Sequence, residues 1–167
     1  MDKVLFVVDM QEIYVGRGRN KDKYSYDCDN LSEKINQRLA EYKPEEIFYF
    51  KSIGKGLGGL FGAMPKEGTH EAKFAEKLKI IGTNIYERSK PDVMTIDKVV
   101  DFLGSRNINE MEIIGVDANC SITLTTVTAT NEYNINVTYN TNCIVFPTPE
   151  KSAKLREKFK RNRVTLL

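Results

Sequence analysis

Short runs of apolar residues recur along the chain, separated by longer stretches in which apolar residues return every three or four positions. The first run, Val4–Val8, contains no polar residue, which is typical of a strand buried on both faces of a parallel sheet. On these runs we predict strands at Val4–Val8, Ile47–Phe50, Asn84–Glu87, 111–115, Ile135–Tyr139 and Cys143–Phe146.

The stretches between the runs have the period of amphipathic helices. The first has apolar residues from Leu31 to Tyr42 and is preceded by Asp29 and Asn30, either of which could cap a helix. The remaining predicted helices cover 70–81, Ile96–Leu103, about 120–133 and about 150–163. Strands that alternate with helices predict an α/β fold, in which a mainly parallel sheet has helices on both faces.

Length and composition indicate a globular domain. A chain of 167 residues, 41% of them hydrophobic, can bury a full core, and we expect a single domain over residues 1–167. No apolar run approaches the roughly 20 residues that span a membrane. We see no signal peptide before the first strand, and the three cysteines lack metal-ligand spacing, so we expect a cytoplasmic protein with reduced thiols.

The net charge of +2 hides a basic segment at residues 151–163, which holds seven basic residues and one acid. Such a segment could bind nucleic acid. We favour instead the solvated face of a terminal helix, with Leu155 and Phe159 packing inward at i, i+4 spacing.

Cys120 follows a predicted strand and a glycine turn, and it opens a predicted helix. A thiol at a helix N-terminus faces unpaired backbone N–H groups and the positive end of the helix dipole, which lower its pKa toward the reactive thiolate. The alternative is a small buried hydrophobic residue, as most free cysteines are.

Two other reactive groups follow predicted strands. Asp9 comes directly after Val4–Val8, and Lys90 lies just past the strand that begins at Asn84. Asp9 could be a turn residue and Lys90 a solvated charge. Because ligands bind beyond the carboxyl ends of parallel strands, the three residues together favour a shared site.

These segments resemble the isochorismatase-like cysteine hydrolases, which include nicotinamidases and carbamoylsarcosine amidohydrolases. The resemblance runs from about residue 3 to residue 146. Its motifs are Val7-Val8-Asp9-Met10-Gln11 with Tyr14, Gly68-Thr69, Lys90-Pro91, Gly115-Val116-Asp117-Ala118-Asn119-Cys120, and Tyr133.

The resemblance implies a three-layer α/β/α sandwich around a six-stranded parallel sheet. It implies the catalytic triad Asp9, Lys90 and Cys120. It also implies a cis peptide between Val116 and Asp117, with an oxyanion hole formed by backbone N–H groups near Asp117 and Cys120. The candidate substrate-binding residues on this reading are Gln11, Tyr14 and Met94.

The implied reaction is hydrolysis of a small amide without a cofactor. Asp9 takes the thiol proton of Cys120, Lys90 holds the thiolate, and attack on the carbonyl gives a thioester that water hydrolyses. We expect the protein to be a homo-oligomer that acts on a small-molecule amide. We expect no role for a membrane or for nucleic acid.

Several features depart from the family pattern. The stretch from Gly115 to Cys120 is one residue shorter than the usual turn. The loop Lys51–Gly68 has one acid, Glu67, and no histidine, and the only histidine of the chain is His70. We therefore predict no metal site and disfavour nicotinamidase activity. The motif G-x-G-x-x-G at Gly54–Gly59 follows the second strand, so we interpret it as a lid or substrate loop.

Two alternatives to amide hydrolysis remain. One is the ether hydrolysis of a true isochorismatase, which the cysteine disfavours because those enzymes lack it. The other is a non-catalytic binding protein on the same fold, using the basic segment to hold a partner.

Overall fold

The computed structural model describes residues 3–55, 64–145, 153–154, 157, 159–161 and 164–167. Six strands form one sheet in the order β3-β2-β1-β4-β5-β6, and every pair of neighbours is parallel. The strands are β1 (Lys3–Val8), β2 (Ile47–Ser52), β3 (Asn84–Arg88), β4 (Glu110–Gly115), β5 (Asn136–Ile144) and β6 (Thr165–Leu166).

Alternation along β1 divides the core into two layers, one on each face of the sheet. Val4, Phe6 and Val8 belong to one cluster of buried side chains, and Leu5 and Val7 belong to the other. All five side chains are fully buried. An apolar strand of this kind stays at the centre of the sheet because burial of each apolar side chain contributes about 1.5 to 3 kcal/mol.

Helices cover both layers, which confirms the predicted three-layer α/β/α sandwich. They are α1 (Glu12–Val15), α2 (Cys28–Leu39), α3 (Asp97–Ser105) and α4 (Ser121–Asn131). Helix α2 contributes Leu31 and Ile35 to the cluster that contains Leu5. Helices α3 and α4 contribute Val99 and Ile122 to the opposite cluster. The cap of α2 is Asp27, which accepts from the backbone N–H of Asn30, instead of the predicted Asp29 or Asn30.

The predicted helix over 70–81 is wrong. The segment forms a single 3₁₀ turn, His70–Ala72, followed by irregular chain with a further turn in which the N–H of Leu78 donates to the carbonyl of Ala75. Phe74 pairs with Gln11 in an antiparallel bridge, and Asn36 of α2 bonds the backbone at Lys77 and Lys79. Because these partners take the backbone groups that a helix would use, tertiary contacts override the helical period.

The carboxyl-terminal strands also differ from the prediction. The two predicted strands at Ile135–Tyr139 and Cys143–Phe146 form the one continuous strand β5, whose pairing with β4 shifts register between Ile113 and Gly115. The sixth strand is β6, two residues long, and no pattern in the sequence indicates it. The formation of a strand this short depends on its pairing with β5 and not on its own composition.

The basic segment is helical where the structure describes it, at residues 153–154, 157 and 159–161. Phe159 is buried and its ring lies 4.6 Å from that of Tyr139, as the inward-packing interpretation expects. Leu155 and most of the Gly54–Gly59 motif lie outside the described residues. Among the helices described, none has the length and apolar composition needed to cross a membrane.

A buried charge cluster joins α2 to the sheet. Glu112 lies in β4 with no exposed surface and accepts hydrogen bonds from Arg38 (2.6 and 2.7 Å), Tyr42 (2.7 Å) and Lys3 (3.2 Å). Burial raises the pKa of this carboxyl, but the hydrogen bonds from Arg38 and Tyr42 outweigh burial and leave the pKa lowered. The cluster holds α2 in place against the strand that leads into the Cys120 turn.

Gly115 allows the ends of β1 and β4 to approach closely. Its φ is 116°, a region that favours glycine, and a Cβ there would lie 2.1 Å from the carbonyl oxygen of Val8. This close contact places the residues after β4 beside those after β1.

We therefore expect Gly115→Ala to lower the free energy of unfolding by at least about 2 kcal/mol, because the substitution combines backbone strain with a steric clash. Gly104→Ala is the matched control, since Gly104 lies in α3 with open space around it and should gain about 0.5 to 1 kcal/mol. Urea denaturation measures both. Wild-type stability of Gly115→Ala would contradict the close approach.

Candidate active site

Groups from three strand ends meet at the carboxyl edge of the sheet. Asp9 follows β1, Arg88 ends β3, and Cys120 and Ser121 follow β4 at the start of α4. They line a cavity of about 180 Å³. Its other walls include three tyrosines, Tyr14, Tyr24 and Tyr26, together with Lys23, Ser52, Met64, Pro91, Val116 and Asp117. Of the three residues that the sequence predicts to share a site, Asp9 and Cys120 line this cavity.

Asp9 is the carboxylate of the site. Its φ is 54°, and its backbone N–H still bonds the carbonyl of Phe50 at 3.0 Å, so the chain turns sharply at the end of β1. The residue is 5% exposed. Burial raises its pKa to about 6, although the positive charge of Arg88 and a hydrogen bond from Ser121 act in the opposite direction.

Arg88 is the cation of the site and is 4% exposed. Its Nη2 contacts Asp9 Oδ2 in a short ion pair and donates to Ser121 Oγ at 2.6 Å, and its Nη1 donates to the carbonyl oxygen of Lys90 at 2.6 Å. Within the described part of the chain, Asp9 Oδ1 and Arg88 Nε are buried without a hydrogen-bond partner. Buried charges with spare hydrogen-bonding capacity are typical of a functional site.

Lys90 does not take the position that the resemblance implies for it. Its side chain is exposed and is not among the residues that line the cavity, and only its backbone carbonyl reaches the cluster. Arg88, and not Lys90, is therefore the cation that pairs with Asp9. The sequence gives no signal for this arrangement, because the apolar Ile85 is exposed and the charged Arg88 is buried, the reverse of what their polarity predicts.

Ser121 is a site residue that the sequence reasoning missed. It is 6% exposed, and its Oγ donates to Asp9 Oδ2 at 3.2 Å while accepting from Arg88. Because Cys120 falls at the cap of α4, the first helical residue, Ser121, is the one that faces the ion pair.

Cys120 is exposed and lines the cavity, whereas Cys28 and Cys143 are buried. The prediction that the pKa of the Cys120 thiol is lowered is wrong. Burial of the sulfur and the negative charges of Asp117 and Asp9 raise the pKa of the thiol, against opposing effects of Arg88 and Ser121. The thiol is therefore protonated at neutral pH and needs a base before it can attack.

The expected oxyanion hole is partly occupied by the chain itself. Asp117 Oδ1 accepts the backbone N–H groups of Asn119 (2.9 Å) and Cys120 (3.1 Å). The peptide bond between Val116 and Asp117 is cis, where the resemblance places such a bond. Because the Cys120 N–H already has a partner, it is not free to receive an oxyanion in this conformation.

The three predicted substrate-binding residues have different surroundings. Tyr14 lines the cavity, and its hydroxyl lies 2.9 Å from Ser52 Oγ. Gln11 is fully buried and bonds the backbone of Ser52 and Ala72, so it ties loops together and does not reach the cavity. Met94 is 4% exposed and belongs to the core. Of the three, only Tyr14 is in a position to touch a substrate.

The residues present do not suit a metal ion. Among the described residues, no group of three or more histidine, cysteine or acidic side chains is close enough to bind one. His70 Nε2 lies 3.7 Å from Glu12 Oε2, which provides two possible ligands and no third. No step of the reaction is therefore assigned to a metal.

A parallel sheet with a nucleophile, a carboxylate and a cation at its carboxyl edge is typical of a hydrolytic α/β enzyme. The family model described as the Isochorismatase domain matches residues 3–166. The chain thus belongs to the Isochorismatase family, as the motifs predict, and is a hydrolase of that family.

Solved structures with the same fold include several amidases. The pyrazinamidase of Pyrococcus horikoshii, crystallised with zinc, has a TM-score of 0.81 at 17% identity over 100% of this chain and 99% of its own. The N-carbamoylsarcosine amidase of Thermoplasma acidophilum has a TM-score of 0.76 at 16% identity, over 99% of this chain and 95% of its own. The nicotinamidase of Bacillus subtilis has a TM-score of 0.76 at 13% identity, over 99% of this chain and 99% of its own.

At these identities the structural likeness shows the fold alone. No curated protein sequence matches the chain at a significant level.

The electrostatics of Cys120 lead to a prediction at Asp117. Asp117→Asn removes a negative charge that raises the pKa of the thiol but keeps the side-chain oxygen that accepts the N–H of Cys120. We expect the pKa of Cys120 to fall, so iodoacetamide should alkylate this cysteine faster at pH 7 than in the wild type. Asp97→Asn, an exposed residue in the first turn of α3 that does not line the cavity, is the control. Equal rates in both variants and the wild type would contradict the role of Asp117.

Proposed function

We propose that the protein cleaves the C–N bond of a small amide, with Cys120 as nucleophile, Asp9 as proton acceptor and Arg88 as the cation of the site. The observation that carries the proposal is the buried Asp9–Arg88 pair, which lies in the same cavity as the one exposed thiol of the chain. This arrangement provides a nucleophile and a base beside an enclosed space for a substrate.

The chemistry begins with a neutral thiol. Because the pKa of Cys120 is raised, attack on the carbonyl carbon requires that its proton move to Asp9, whose pKa of about 6 leaves it ionised at neutral pH. The sulfur then forms a thioester as the C–N bond breaks. Protonated Asp9 returns the proton to the departing amine, and a water molecule, deprotonated by Asp9, hydrolyses the thioester.

Arg88 keeps these groups charged and in place. A guanidinium carries a permanent charge and several donors in a fixed plane, so it can bond Asp9, Ser121 and the Lys90 carbonyl at once. Its positive charge also favours the thiolate and the developing negative charge of the transition state.

The cavity suits a small molecule with a flat apolar part. The rings of Tyr14 and Tyr24 meet edge to face at 5.5 Å, and the Tyr26 hydroxyl donates to the carbonyl of Tyr14 at 2.9 Å, which makes a firm aromatic wall. Pyrazinamide and nicotinamide, the ring amides of two structural neighbours, are therefore the first candidates to test. N-carbamoylsarcosine, the acyclic amide of a third neighbour, completes the panel.

Replacing the nucleophile tests this function. Cys120→Ala should reduce ammonia release from the active member of that amide panel by at least about 1,000-fold, because no other thiol lines the cavity. Cys143→Ala is the matched control, since that cysteine is buried in the core, and its activity should follow the wild type. Wild-type ammonia release by Cys120→Ala would exclude Cys120 as the nucleophile.

The raised pKa of Asp9 predicts the pH dependence. Only the ionised carboxylate accepts a proton, so kcat/KM should be low at pH 5 and rise through about pH 6 to a plateau. Asp9→Asn should remove this acidic limb together with most of the activity. An acidic limb that stays at the same pH in Asp9→Asn would show that another group titrates.

The identity of the cation is tested by two substitutions. Arg88→Lys keeps the charge but cannot make the three bonds of the guanidinium, so we expect kcat/KM to fall roughly tenfold or more. Lys90→Met leaves the backbone carbonyl that Arg88 uses, so its kcat/KM should remain close to that of the wild type. The reverse result would return the role to Lys90.

A further inference from the structure

We propose that Arg19 is a positioning residue of the substrate cavity, because its guanidinium holds the loop that supplies two of the cavity tyrosines, Tyr24 and Tyr26. The inference rests on the proposed function, in which this cavity holds the substrate. Arg19 is not among the residues that line the cavity, so it acts on the substrate through the two tyrosines.

The loop that carries these tyrosines has no regular structure of its own. It covers residues 16–27, between α1 and α2, and contains only turns and bends. A loop of this length without a helix or strand has no repeating backbone hydrogen bonds to fix its path. Its conformation therefore depends on individual contacts, and those contacts determine where the two rings lie.

The guanidinium of Arg19 joins the two ends of this loop. Its Nη1 donates to the carbonyl of Gly16 at 3.3 Å, its Nε to the carbonyl of Tyr24 at 3.0 Å, and its Nη2 to the carbonyl of Tyr26 at 3.1 Å. All three nitrogens thus bond the loop backbone. Because a guanidinium presents its donors in one rigid plane, the three carbonyls are held in a fixed relation to one another.

The third tyrosine connects this loop to the sheet. The rings of Tyr14 and Tyr24 meet edge to face at 5.5 Å, and the Tyr26 hydroxyl donates to the carbonyl of Tyr14 at 2.9 Å. Tyr14 lies in α1, and its hydroxyl is 2.9 Å from Ser52 Oγ at the end of β2. The position of Tyr14 therefore depends less on Arg19 than the positions of Tyr24 and Tyr26 do.

Arg19 lies apart from the reacting groups. Among the hydrogen bonds of the described residues, its side chain bonds only the three loop carbonyls and neither Asp9 nor Cys120. Loss of the guanidinium should therefore loosen the aromatic wall and leave the chemistry intact. For an amide that the wild type cleaves, Arg19→Ala should raise KM roughly threefold to tenfold and keep kcat within about twofold. A lower kcat with an unchanged KM would overturn the proposal.

Two alkylating reagents test the wall without a substrate. Iodoacetamide and iodoacetanilide react with a thiol in the same way, but only iodoacetanilide carries a flat aromatic ring. The ratio of their rates at Cys120, divided by the same ratio for glutathione, measures what the wall adds. This normalised ratio should be roughly three to ten in the wild type and should fall close to one in Arg19→Ala. A wild-type ratio of one, or an unchanged ratio in Arg19→Ala, would overturn the proposal.

Two further substitutions separate hydrogen bonding from charge. Arg17→Ala is the matched control, because Arg17 is an exposed arginine of the same loop, does not line the cavity and should keep the wild-type ratio. Arg19→Lys keeps the positive charge but loses the planar set of donors, so its ratio should be close to that of Arg19→Ala. A wild-type ratio in Arg19→Lys would show that charge alone is sufficient and would overturn the proposal.

Removal of the tyrosines tests whether Arg19 acts through them. In a variant that carries Tyr24→Ala and Tyr26→Ala, the normalised ratio should already be close to one, and adding Arg19→Ala should not lower it further. A further fall in this combined variant would contradict action through the tyrosines.

The two remaining cysteines report on the loop and the core in the same experiment, since mass spectrometry distinguishes the three sites. Cys143 is buried in the core and should stay unlabelled in every variant. Cys28 is buried beside the loop, and its Sγ donates at 3.6 Å to the Tyr26 carbonyl that Arg19 also bonds. Alkylation of Cys28 should therefore be faster in Arg19→Ala than in Arg17→Ala. Equal protection of Cys28 in both would show that the loop keeps its path and would overturn the proposal.

Alkylation needs no hydrolysis, so the outcome for Arg19 is distinct from the outcome for the proposed function. A ratio that falls in Arg19→Ala, without ammonia release from any amide by the wild type, would contradict amide hydrolysis and support the role of Arg19. An unchanged ratio in an enzyme that does release ammonia would overturn the role of Arg19 and leave the proposed function standing.

Discussion

The site depends on one buried ion pair, between Asp9 and Arg88. Asp9 directly follows β1 and Arg88 ends β3, strands that are separated by β2, and each residue is at most 5% exposed. A buried charge without its partner costs roughly 3 to 5 kcal/mol, so each residue requires the other. The pair thus constrains where both strands end and which way the following loops leave the sheet.

Other features of the site follow from this constraint. Because Arg88 is held by Asp9, its remaining donors are positioned to bond the Lys90 carbonyl and Ser121. Burial of the pair raises the pKa of Asp9 to about 6, which makes it a stronger base than an exposed aspartate. Cys120, in contrast, lies at the exposed cap of α4 beside Asp117, where its thiol remains protonated at rest. In the proposed mechanism the neutral thiol of Cys120 therefore depends on Asp9 as a base, which the helix position of Cys120 alone does not predict.

Sequence patterns were reliable where one physical effect dominates. Val4–Val8 is apolar throughout, and no arrangement other than a central strand buries it on both faces. They failed where tertiary partners decide: the 70–81 segment has a helical period, yet its backbone bonds Met10, Glu12 and the side chain of Asn36 and forms no α-helix. The environment of Glu112 also depends on tertiary partners. Its carboxylate is tolerated in a buried strand because Arg38 and Tyr42 donate hydrogen bonds to it.

The sequence by itself determined the parallel α/β architecture, the family, and the placing of Asp9 and Cys120 at neighbouring strand ends, because these follow from hydrophobic period and from motif order along the chain. Only the tertiary structure decided that Arg88, and not Lys90, pairs with Asp9, and that Ser121 bonds both members of this pair. Arg88 is the last residue of β3 and is buried, whereas Lys90 lies beyond the end of the strand and is exposed. Cys120 is the cap of α4 and Ser121 is its first residue, so their side chains leave the chain in different directions and only that of Ser121 reaches the ion pair.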